Sequence, residues 1–263
     1  MVDFCVPVSL PFKLTESSVV AIIPARYQST RLPAKALADI AGHPMIEHVY
    51  RRASEAQTVT AVVVATDDER ISRVVEGFGG VAVMTRADHP TGTDRLAEVA
   101  ASITCGIVVN VQGDEPLLDP AVIDAVTRPL MNSPSLEVST ACRPFRSDEE
   151  FANPNVVKVV CDLTGRALYF SRAPIPFPRG SVGTAPAVAR AHVGLYAYRR
   201  DVLLRLAALP PVDIEGVEAL EQLRALAHGI GIQVVETDHH SIGVDTPEEL
   251  ARVRQWLLTA SRT

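Results

Sequence analysis

Residues 19–37 constrain the fold of this chain more than any other stretch. Residues 19–23 form an uninterrupted apolar run, which is typical of a strand buried on both faces of a parallel sheet. Pro24 ends the hydrogen-bonded ladder because proline has no N–H to donate. The loop that follows contains no acidic residue and three cationic ones, namely Arg26, Arg31 and Lys35.

This basic loop (residues 26–37) is a candidate ligand site, because open α/β sheets bind ligands where their parallel strands end. Guanidinium and ammonium groups at that position suit a phosphate or a carboxylate. The alternative is a basic loop that faces only solvent, since charged surface loops are common. Charge alone supports the two interpretations equally.

The composition limits the classes of protein to consider. The chain has 263 residues, of which 47% are hydrophobic and 21% charged, so it can bury a sizeable core in one large domain or two small ones. Its formal net charge of -6 argues against a general nucleic-acid or anionic-membrane surface. Only Lys13, Lys35 and Lys158 are lysines, and one of them lies in the basic loop.

The cysteines and the N-terminal residues favour a cytoplasmic protein. Cys5, Cys105, Cys142 and Cys161 form no C-x-x-C pair and have no histidines at zinc spacing, which indicates small buried hydrophobes in a reducing compartment. No window contains the ~18 apolar residues of a membrane span. Residues 1–18 lack the pattern of a signal peptide, so we expect a poorly ordered extension before a single domain over residues 19–263.

Strand and helix patterns alternate through the first half of the chain. Buried strands are predicted at residues 19–23, 60–65 and 107–111, with helices at residues 45–57 and 95–101 between them. This order predicts an α/β fold with a mostly parallel, Rossmann-like sheet flanked by helices. Between about residues 137 and 215, short strands follow one another without full helices, which predicts an inserted, partly antiparallel section.

Capping patterns predict several helix ends. Thr66 and Glu69 fit a capping box that opens a helix, and Thr246 with Glu249 fits a second one before the last helix. One continuous helix is predicted over residues 216–227. The last helix is expected to bury one apolar stripe, formed by Leu250, Val253, Trp256 and Leu257.

Several familiar motifs are absent or misplaced. Gly77, Gly79 and Ala82 match the loose dinucleotide fingerprint G-x-G-x-x-A, but here a helix precedes the motif and a strand follows it, which is the reverse of what a dinucleotide site requires. The chain has no P-loop, no G-x-S-x-G and no H-E-x-x-H. The sequence therefore excludes these three routes to nucleotide, acyl or zinc chemistry.

Loops after the predicted strands carry further candidate residues. Asp114 follows the strand at 107–111, where a hard cation could use its carboxylate together with phosphate oxygens, although a lone aspartate is more often a turn residue. Asp67 lies at a similar position, but an acid in a first helical turn needs no ligand to explain it. The segment from Thr91 through Gly92 to Thr93 can offer N–H groups to an anion or a base edge, or form an ordinary N-cap.

Nine motifs carry a resemblance to a known family. In order, they are PARYQSTRLPAKAL, VVATDD, MTRADHPTGTDRLAE, VNVQGDEP, NPNVVKVV, ALYFSRAPIP, HVGLYAY, VEALEQLRAL and GVDTPEEL. Together they resemble the 3-deoxy-manno-octulosonate (Kdo) cytidylyltransferases, which are sugar nucleotidyltransferases. The resemblance covers roughly residues 19–253, and the HVGLYAY, LEQLR and GVDTP parts are the most specific to this family.

The resemblance implies a reaction in which the anomeric hydroxyl of Kdo attacks the α-phosphorus of CTP, so that CMP-Kdo and pyrophosphate form. It implies that Mg²⁺ is bound by Asp114 and Asp245, that Arg26 and Lys35 hold the triphosphate, and that Arg31 is a weaker candidate for the same role. The implied nucleotide pocket is lined by Gln112, by the loop from Ala65 to Asp67, and by Thr91, Gly92 and Thr93. The implied sugar-binding set is Arg172, His192, Tyr196, Glu218, Glu221 and Gln222. The family also implies a homodimer and a place in lipopolysaccharide biosynthesis.

The chain departs from the family pattern on both sides of the predicted site. Ala34 and Ala36 stand where the family commonly has glycine and proline. Ala191 replaces a common basic residue before His192, and Ala197 replaces a common glycine. None of these changes removes a predicted ligand, but they leave the choice of sugar less constrained than the nucleotide.

Two alternatives therefore stay open. The first is a synthetase that activates another sugar acid, such as a sialic acid or an aminated Kdo. The second is a non-catalytic nucleotide-binding regulatory protein, which the loss of Lys35, Asp114 or Asp245 would have favoured. All three residues are present.

Overall fold

The computed structural model describes residues 10–28, 31–180, 184–239 and 242–260. The chain divides into two compact units, which we call the first unit (Met1–Asp124 with His240–Thr263) and the second unit (Ala125–His239). The first nine residues of the predicted N-terminal extension lie outside the described residues. The single domain and the insert at about 137–215 stay predictions.

The secondary structure alternates as an α/β protein should. The strands are β1 (Val19–Ala25), β2 (Asp39–Ile40), β3 (His43–Pro44), β4 (Ala61–Thr66), β5 (Ala82–Met84), β6 (Ile107–Asn110), β7 (Val138–Arg143), β8 (Lys158–Cys161), β9 (Ala167–Ser171), β10 (Arg190–Arg199) and β11 (Ile232–Glu236). The helices are α1 (Met45–Ser54), α2 (Glu69–Gly77), α3 (Gly92–Ser102), α4 (Pro120–Asn132), α5 (Asp148–Ala152), α6 (Arg200–Ala208), α7 (Asp213–Glu218), α8 (Gln222–Ala227) and α9 (Pro247–Ala260), and a 3-10 turn spans Lys35–Leu37. None of the helices in the described part of the chain is long and apolar enough to cross a membrane.

The first unit contains a parallel sheet in the strand order β6-β1-β4-β5. The sequence predicts its three main strands, and β1, β4 and β6 are buried almost throughout because Val, Ile and Ala side chains project from both faces. The prediction that Pro24 ends the ladder is wrong, because β1 continues through Pro24, which pairs with Ala65, to Ala25. Proline lacks only the N–H and keeps its carbonyl acceptor. Since these strands run in one direction, the residues that follow Ala25, Thr66 and Asn110 all emerge at the same edge of the sheet. That edge is where the candidate loops lie.

The second unit contains a mixed sheet, as its sequence predicts. Strand β7 pairs with β11 in parallel and with β10 antiparallel. Strand β8 pairs antiparallel with both β10 and β9. These antiparallel pairings, together with the parallel sheet of the first unit, confirm the predicted fold class.

The predicted capping box at Thr66 and Glu69 is wrong. Thr66 is the last residue of β4 and pairs with Ala25 on one side and Met84 on the other, so its backbone belongs to the sheet. The N-cap of α2 is Asp68, whose carboxylate accepts a hydrogen bond from the Arg70 N–H at 2.9 Å. Ladder pairing has therefore extended the strand and moved the cap by two positions.

The single helix predicted at residues 216–227 is also wrong. Helices α7 and α8 are separated at Ala219, whose φ of 49° lies in the left-handed region and interrupts the helical hydrogen-bond ladder. The guanidinium group of Arg172 donates to the carbonyl oxygens of Glu218 at 2.7 Å and Ala219 at 3.2 Å. A side chain distant in sequence thus satisfies the carbonyls that the break leaves without helical partners.

The predicted buried face of α9 is right except at Trp256, which is 47% exposed. Leu250, Val253 and Leu257 pack on a cluster that contains Ile40 and Met45. At about 100° per residue these three side chains form one narrow stripe, and Trp256 falls beyond its edge. The predicted capping box before this helix is confirmed by hydrogen bonds between Thr246 and Glu249 in both directions.

Candidate active site

The described residues of the basic loop (26–28 and 31–37) present Lys35 at the carboxyl edge of the parallel sheet. The Ala34 N–H donates to the Tyr27 carbonyl oxygen at 3.2 Å, which joins these two parts of the loop. Ala34 itself has a φ of 54°, a left-handed conformation that glycine adopts more easily than alanine. The 3-10 turn that follows buries Ala36 and leaves the Lys35 side chain 20% exposed.

Asp114 and Asp245 are brought together by backbone contacts. In the loop after β6, a Cβ added to Gly113 would lie 2.9 Å from the Pro24 carbonyl oxygen, so this loop is pressed against the end of β1. The Val244 N–H donates to the Asp114 carbonyl oxygen at 2.8 Å. Val244 is fully buried in the cluster beneath α9, and Asp245 follows it directly. The burial of Val244 therefore fixes the position of the adjacent Asp245.

One ammonium group joins the two carboxylates. Lys35 Nζ lies 2.7 Å from Asp114 Oδ2 and 2.8 Å from Asp245 Oδ1. Arg31 donates to the other oxygen of Asp245 at 2.7 Å. Two cations are therefore matched to two carboxylates, and the structure brings together four of the residues that the sequence predicts for the reaction centre.

These four side chains line a cavity of about 330 Å³ in the first unit. Its other walls come from the end of β1, the basic loop and the loop after β6, through Pro24, Ala25, Arg26, Gln28, Ala36, Gln112 and Gly113. A cavity of this size and charge suits a phosphate group, because guanidinium and ammonium groups bind phosphate oxygens strongly.

The protonation states of Lys35 and Asp245 follow from these contacts. Burial by itself would lower the pKa of Lys35, but the adjacent Asp114 and Asp245 carboxylates outweigh it and raise that pKa above its ordinary value. Burial would likewise raise the pKa of Asp245, but hydrogen bonds and charge from Lys35 and Arg31 hold it below its ordinary range. Lys35 and Asp245 are therefore both charged at neutral pH.

Arg26 is held by a residue outside the group formed by Arg31, Lys35, Asp114 and Asp245. Its guanidinium donates to the His89 carbonyl oxygen at 2.5 Å, and the buried His89 ring in turn contacts the carboxylate of Glu98. Glu98 also accepts from the Arg86 N–H at 3.0 Å. His89 and Glu98 lie within the motif MTRADHPTGTDRLAE, but they were not selected from the sequence, because they are more than 60 positions from Arg26 and no pattern links them to it.

A second cavity of about 630 Å³ adjoins the basic loop in the first unit. Arg26, Tyr27 and Asp67 contribute to its walls, and the Arg70 guanidinium carbon lies 3.3 Å from the centre of the Tyr27 ring. Asp67, a predicted nucleotide-pocket residue, accepts from the fully buried Arg95 at 3.0 Å. Asp67 therefore has a structural partner in addition to any ligand.

The remaining predicted nucleotide-pocket residues lie close to the same sheet edge. Ala65 is buried in β4, one residue before the strand ends. Thr91 is the N-cap of α3 and forms a complete capping box with Asp94, so its hydroxyl is committed to the helix. Gly92 is the first residue of α3, and a Cβ there would lie 3.7 Å from the Pro24 ring. Thr93 follows it in the first turn.

The predicted sugar-binding residues belong to the second unit and form two groups. In the first group, His192 Nε2 lies 2.9 Å from Thr140 Oγ1, and the His192 and Tyr196 ring centres are 5.3 Å apart. Tyr196 stacks on Tyr198, so these two tyrosines, two positions apart, share one face of β10. The pKa of Tyr196 is raised, chiefly by burial and then by the neighbouring Tyr198 and the charge of Glu221.

Burial lowers the pKa of His192 to about 3. Its imidazole is therefore neutral near pH 7, so it can offer a hydrogen bond but not a positive charge. Gln222 begins α8 directly after Glu221 and is half-buried. These residues give the second unit a group of polar donors and acceptors, some of them on aromatic side chains.

In the second group, Arg172 and Glu218 are joined by hydrogen bonds. Glu218 accepts from the Ser171 hydroxyl at 2.6 Å and from the Arg172 N–H at 2.9 Å. Lys158, which the sequence left without a role, is fully buried and donates to the carbonyl oxygens of Asn153 at 2.7 Å and Arg172 at 2.8 Å. Arg172 and Glu218 thus have structural partners within the second unit.

The donor set at Asp114 and Asp245 fits Mg²⁺. This cation prefers oxygen ligands and commonly takes one or two protein carboxylates, with phosphate oxygens and waters completing the shell. No group of three or more His, Cys, Asp or Glu side chains within the described ranges could hold a metal ion. A site with two carboxylates needs further oxygens, and a bound triphosphate can provide them.

Comparison with known proteins identifies the family. The cytidylyltransferase family model matches residues 20–242. The 3-deoxy-manno-octulosonate cytidylyltransferase of Geobacter sulfurreducens is 54% identical over 248 residues, which cover 91% of this chain and 99% of that protein. The enzyme of the same name from Syntrophotalea carbinolica is 55% identical over 246 residues, covering 91% of this chain and 98% of that protein.

Solved structures agree with this assignment. A CMP:2-keto-3-deoxy-manno-octonic acid synthetase complexed with CTP superposes with a TM-score of 0.88 at 46% identity, covering 93% of this chain and 100% of that chain. The 4-diphosphocytidyl-2C-methyl-D-erythritol synthase of Anaerococcus prevotii superposes with a TM-score of 0.61 at 12% identity, covering 92% and 99%, and shares the fold alone. The chain belongs to the 3-deoxy-manno-octulosonate cytidylyltransferase family.

Proposed function

We propose that this chain transfers the cytidylyl group of CTP to the anomeric hydroxyl of Kdo, with release of pyrophosphate. The observation that carries the proposal is the cluster of Lys35, Asp114 and Asp245 in a cavity at the carboxyl edge of the parallel sheet. Its support from relatives is the name shared by proteins more than 50% identical and the CTP complex of a related synthetase.

The reaction needs no nucleophilic side chain. The anomeric oxygen of Kdo forms a bond to the α-phosphorus of CTP, the bond from that phosphorus to the β-phosphate oxygen breaks, and the hydroxyl proton passes to solvent. Catalysis of this kind consists mostly of positioning and charge stabilisation. Holding two reactants in line can contribute roughly 7–11 kcal/mol.

The basic loop supplies the charge stabilisation. Arg26, Arg31 and Lys35 are cations within reach of one cavity, where they neutralise charge on the α-phosphate and on the departing pyrophosphate. The His89 carbonyl oxygen orients the Arg26 guanidinium. Gln112 and the loops that contain Asp67 and Thr91 complete the nucleotide side of the proposal.

Asp114 and Asp245 would hold Mg²⁺. When bound, the cation supplies a Lewis acid that withdraws charge from phosphate oxygens. The two carboxylates already lie on one ammonium group, so no rearrangement of the backbone is required to bring them to one ion.

For the sugar acid we propose the residues predicted from the sequence. His192, Tyr196 and Gln222 offer neutral donors and acceptors, and Glu221 offers a carboxylate acceptor, all suited to hydroxyl groups. The guanidinium of Arg172 suits the sugar carboxylate, and Glu218 holds the backbone of Arg172 in place. A homodimer and a role in lipopolysaccharide biosynthesis complete the proposal and rest on the family alone. A cytoplasmic location is also proposed, on the cysteine pattern and the N-terminal residues.

Pyrophosphate release tests the proposal directly. The chain is incubated with CTP and Mg²⁺ and with either Kdo or a sialic acid, and parallel samples contain EDTA. We expect release that requires both Kdo and the metal ion. Release only with the sialic acid would overturn the choice of sugar. CTP binding without release with any sugar acid would favour a regulatory nucleotide-binding protein.

A further inference from the structure

The Lys35 ammonium occupies the point where the two carboxylates of the cluster meet. Three of the four oxygens of Asp114 and Asp245 accept a hydrogen bond from a cation, two from Lys35 and one from Arg31. The Lys35 side chain is 20% exposed, whereas that of Arg31 is 65% exposed. Lys35 is therefore the partner more sheltered from water and salt.

This arrangement conflicts with simple binding of a divalent cation by the free chain. A hard cation needs the same carboxylate oxygens that now hold Lys35, and it repels the ammonium at such short range. Charge-assisted hydrogen bonds are among the stronger ones in proteins, so their loss opposes entry of the metal ion. A triphosphate offers the ammonium and guanidinium groups new oxygen partners and removes that opposition.

We propose that Lys35 is a cationic placeholder, which holds Asp114 and Asp245 together in the free chain and leaves them for the nucleotide phosphates when the divalent cation binds. The inference rests on the proposed role of the two aspartates as metal ligands. Its consequence is that metal ion and nucleotide bind cooperatively, because each one releases the partner that the other needs. By linkage, the coupling operates equally in both directions.

Metal binding in the absence of nucleotide tests the placeholder. Mn²⁺ serves as the spectroscopic probe, and its Kd is measured by electron paramagnetic resonance for the full chain and its variants. Lys35→Met keeps the length of the side chain and removes the competing charge, so we expect its Kd for Mn²⁺ to fall by about tenfold or more. Arg31→Met frees only one oxygen and should produce a smaller fall.

Two control variants separate local competition from other effects. Arg73→Met removes the same unit of charge from an exposed ion pair with Glu69, so the Kd for Mn²⁺ should not change. Lys35→Arg keeps the charge and should keep binding as weak as in the unmodified chain. If Lys35→Met binds Mn²⁺ no more tightly than the unmodified chain, or if Arg73→Met produces the same gain, the placeholder is wrong.

The same measurement on Asp245→Asn distinguishes this failure from a failure of the proposed function. If the unmodified chain already binds Mn²⁺ tightly and Asp245→Asn abolishes that binding, the metal ligands are right and the placeholder is wrong. If Asp245→Asn leaves Mn²⁺ binding unchanged alone and together with Lys35→Met, the metal assignment itself fails.

A second test needs no variant. Lys13 is exposed and serves as an internal reference for acetylation of the unmodified chain, which is read by mass spectrometry. Release of the Lys35 ammonium by saturating Mg²⁺ should raise the acetylation of Lys35 relative to Lys13 several-fold. An unchanged ratio would overturn the placeholder even if Lys35→Met did not fold.

Discussion

The ammonium nitrogen of Lys35 lies 2.8 Å from a carboxylate oxygen of Asp245, although 210 positions separate the two residues. The contact exists because the Val244 N–H donates to the Asp114 carbonyl oxygen, which ties the residues before α9 to the loop after β6. Both carboxylates then lie at the carboxyl edge of the parallel sheet, where the basic loop also begins. The reaction centre is therefore assembled from three distant segments.

Removing either carboxylate should slow the reaction strongly without unfolding the chain. We expect Asp114→Asn and Asp245→Asn each to lower the rate of pyrophosphate release by at least ~10²-fold, as does removal of one charge stabiliser in other enzymes. Circular dichroism should be unchanged. Asp201→Asn, at an exposed position in the first turn of α6, is the control and should keep normal turnover. Near-normal turnover of either site variant would contradict the metal assignment.

Replacing Ala34 with glycine should stabilise the first unit. Ala34 has a φ of 54°, and the left-handed region costs an L-residue roughly 1–2 kcal/mol. Glycine avoids this strain, but its greater conformational freedom stabilises the unfolded chain by about 0.4–1 kcal/mol. We expect a net increase of roughly 0.5–1 kcal/mol in the free energy of unfolding, measured with urea. Ala36→Gly, at a buried position in the adjacent 3-10 turn, should instead destabilise the chain.

Gly113 should tolerate no side chain. A Cβ at this position would lie 2.9 Å from the Pro24 carbonyl oxygen, so Gly113→Ala must move the loop that carries Asp114. A displacement of this kind can cost about 10²-fold in catalysis, and we expect a loss of that order in kcat/KM. Gly180→Ala, where nothing lies within 4 Å of an added Cβ, is the matched control. Unchanged kinetics of Gly113→Ala would show that the loop can relax.

The ion pair between Glu215 and Arg224 should stabilise the second unit. Two guanidinium nitrogens donate to the Glu215 carboxylate at 2.8 and 2.5 Å, and the side chains are 10% and 12% exposed. Glu215→Ala removes a carboxylate from a buried guanidinium group and should cost up to about 3–5 kcal/mol. Glu69→Ala, from a pair that is 74% exposed on both sides, should change the free energy of unfolding by no more than about 1 kcal/mol.

The same pair predicts a pH dependence. The hydrogen bonds from Arg224 hold the pKa of Glu215 below its ordinary value of 4.5. Because the folded pKa is the lower one, this stabilisation is complete above pH 4.5 and is lost as the pH falls through the folded pKa. Urea unfolding of Glu215→Ala should therefore depend less on pH in the acid range. Equal acid sensitivity of variant and unmodified chain would contradict the assignment.

His192 should destabilise the chain in mild acid. Burial lowers its pKa from 6.5 to about 3, so below pH 6.5 the unfolded chain binds a proton that the folded chain does not. Stability should fall as the pH drops through that window, and His192→Asn should reduce the slope. The dependence of the free energy of unfolding on pH is measured by urea unfolding from about pH 5 to pH 8. An NMR titration that protonates His192 near its ordinary pKa would contradict this prediction.

Local patterns in the sequence were reliable where local forces decide the structure. The apolar runs of β1, β4 and β6 formed buried parallel strands, and the capping box at Thr246 and Glu249 formed as predicted. The failures occurred where a distant contact prevailed over a local preference. Strand pairing claimed Thr66, and the guanidinium of Arg172 satisfied the carbonyl oxygens at the break near Ala219.

By itself, the sequence determined the alternation of strands and helices and, through its motifs, the family and the side chains to examine. Only the tertiary structure decided that Lys35 bridges Asp114 and Asp245, that His89 orients Arg26, and that Lys158 is buried beneath the Arg172 carbonyl. The physical reason is range. Helical and strand periodicity arises from neighbours a few positions apart, whereas these contacts join residues that meet only after the strands have paired and the core has closed.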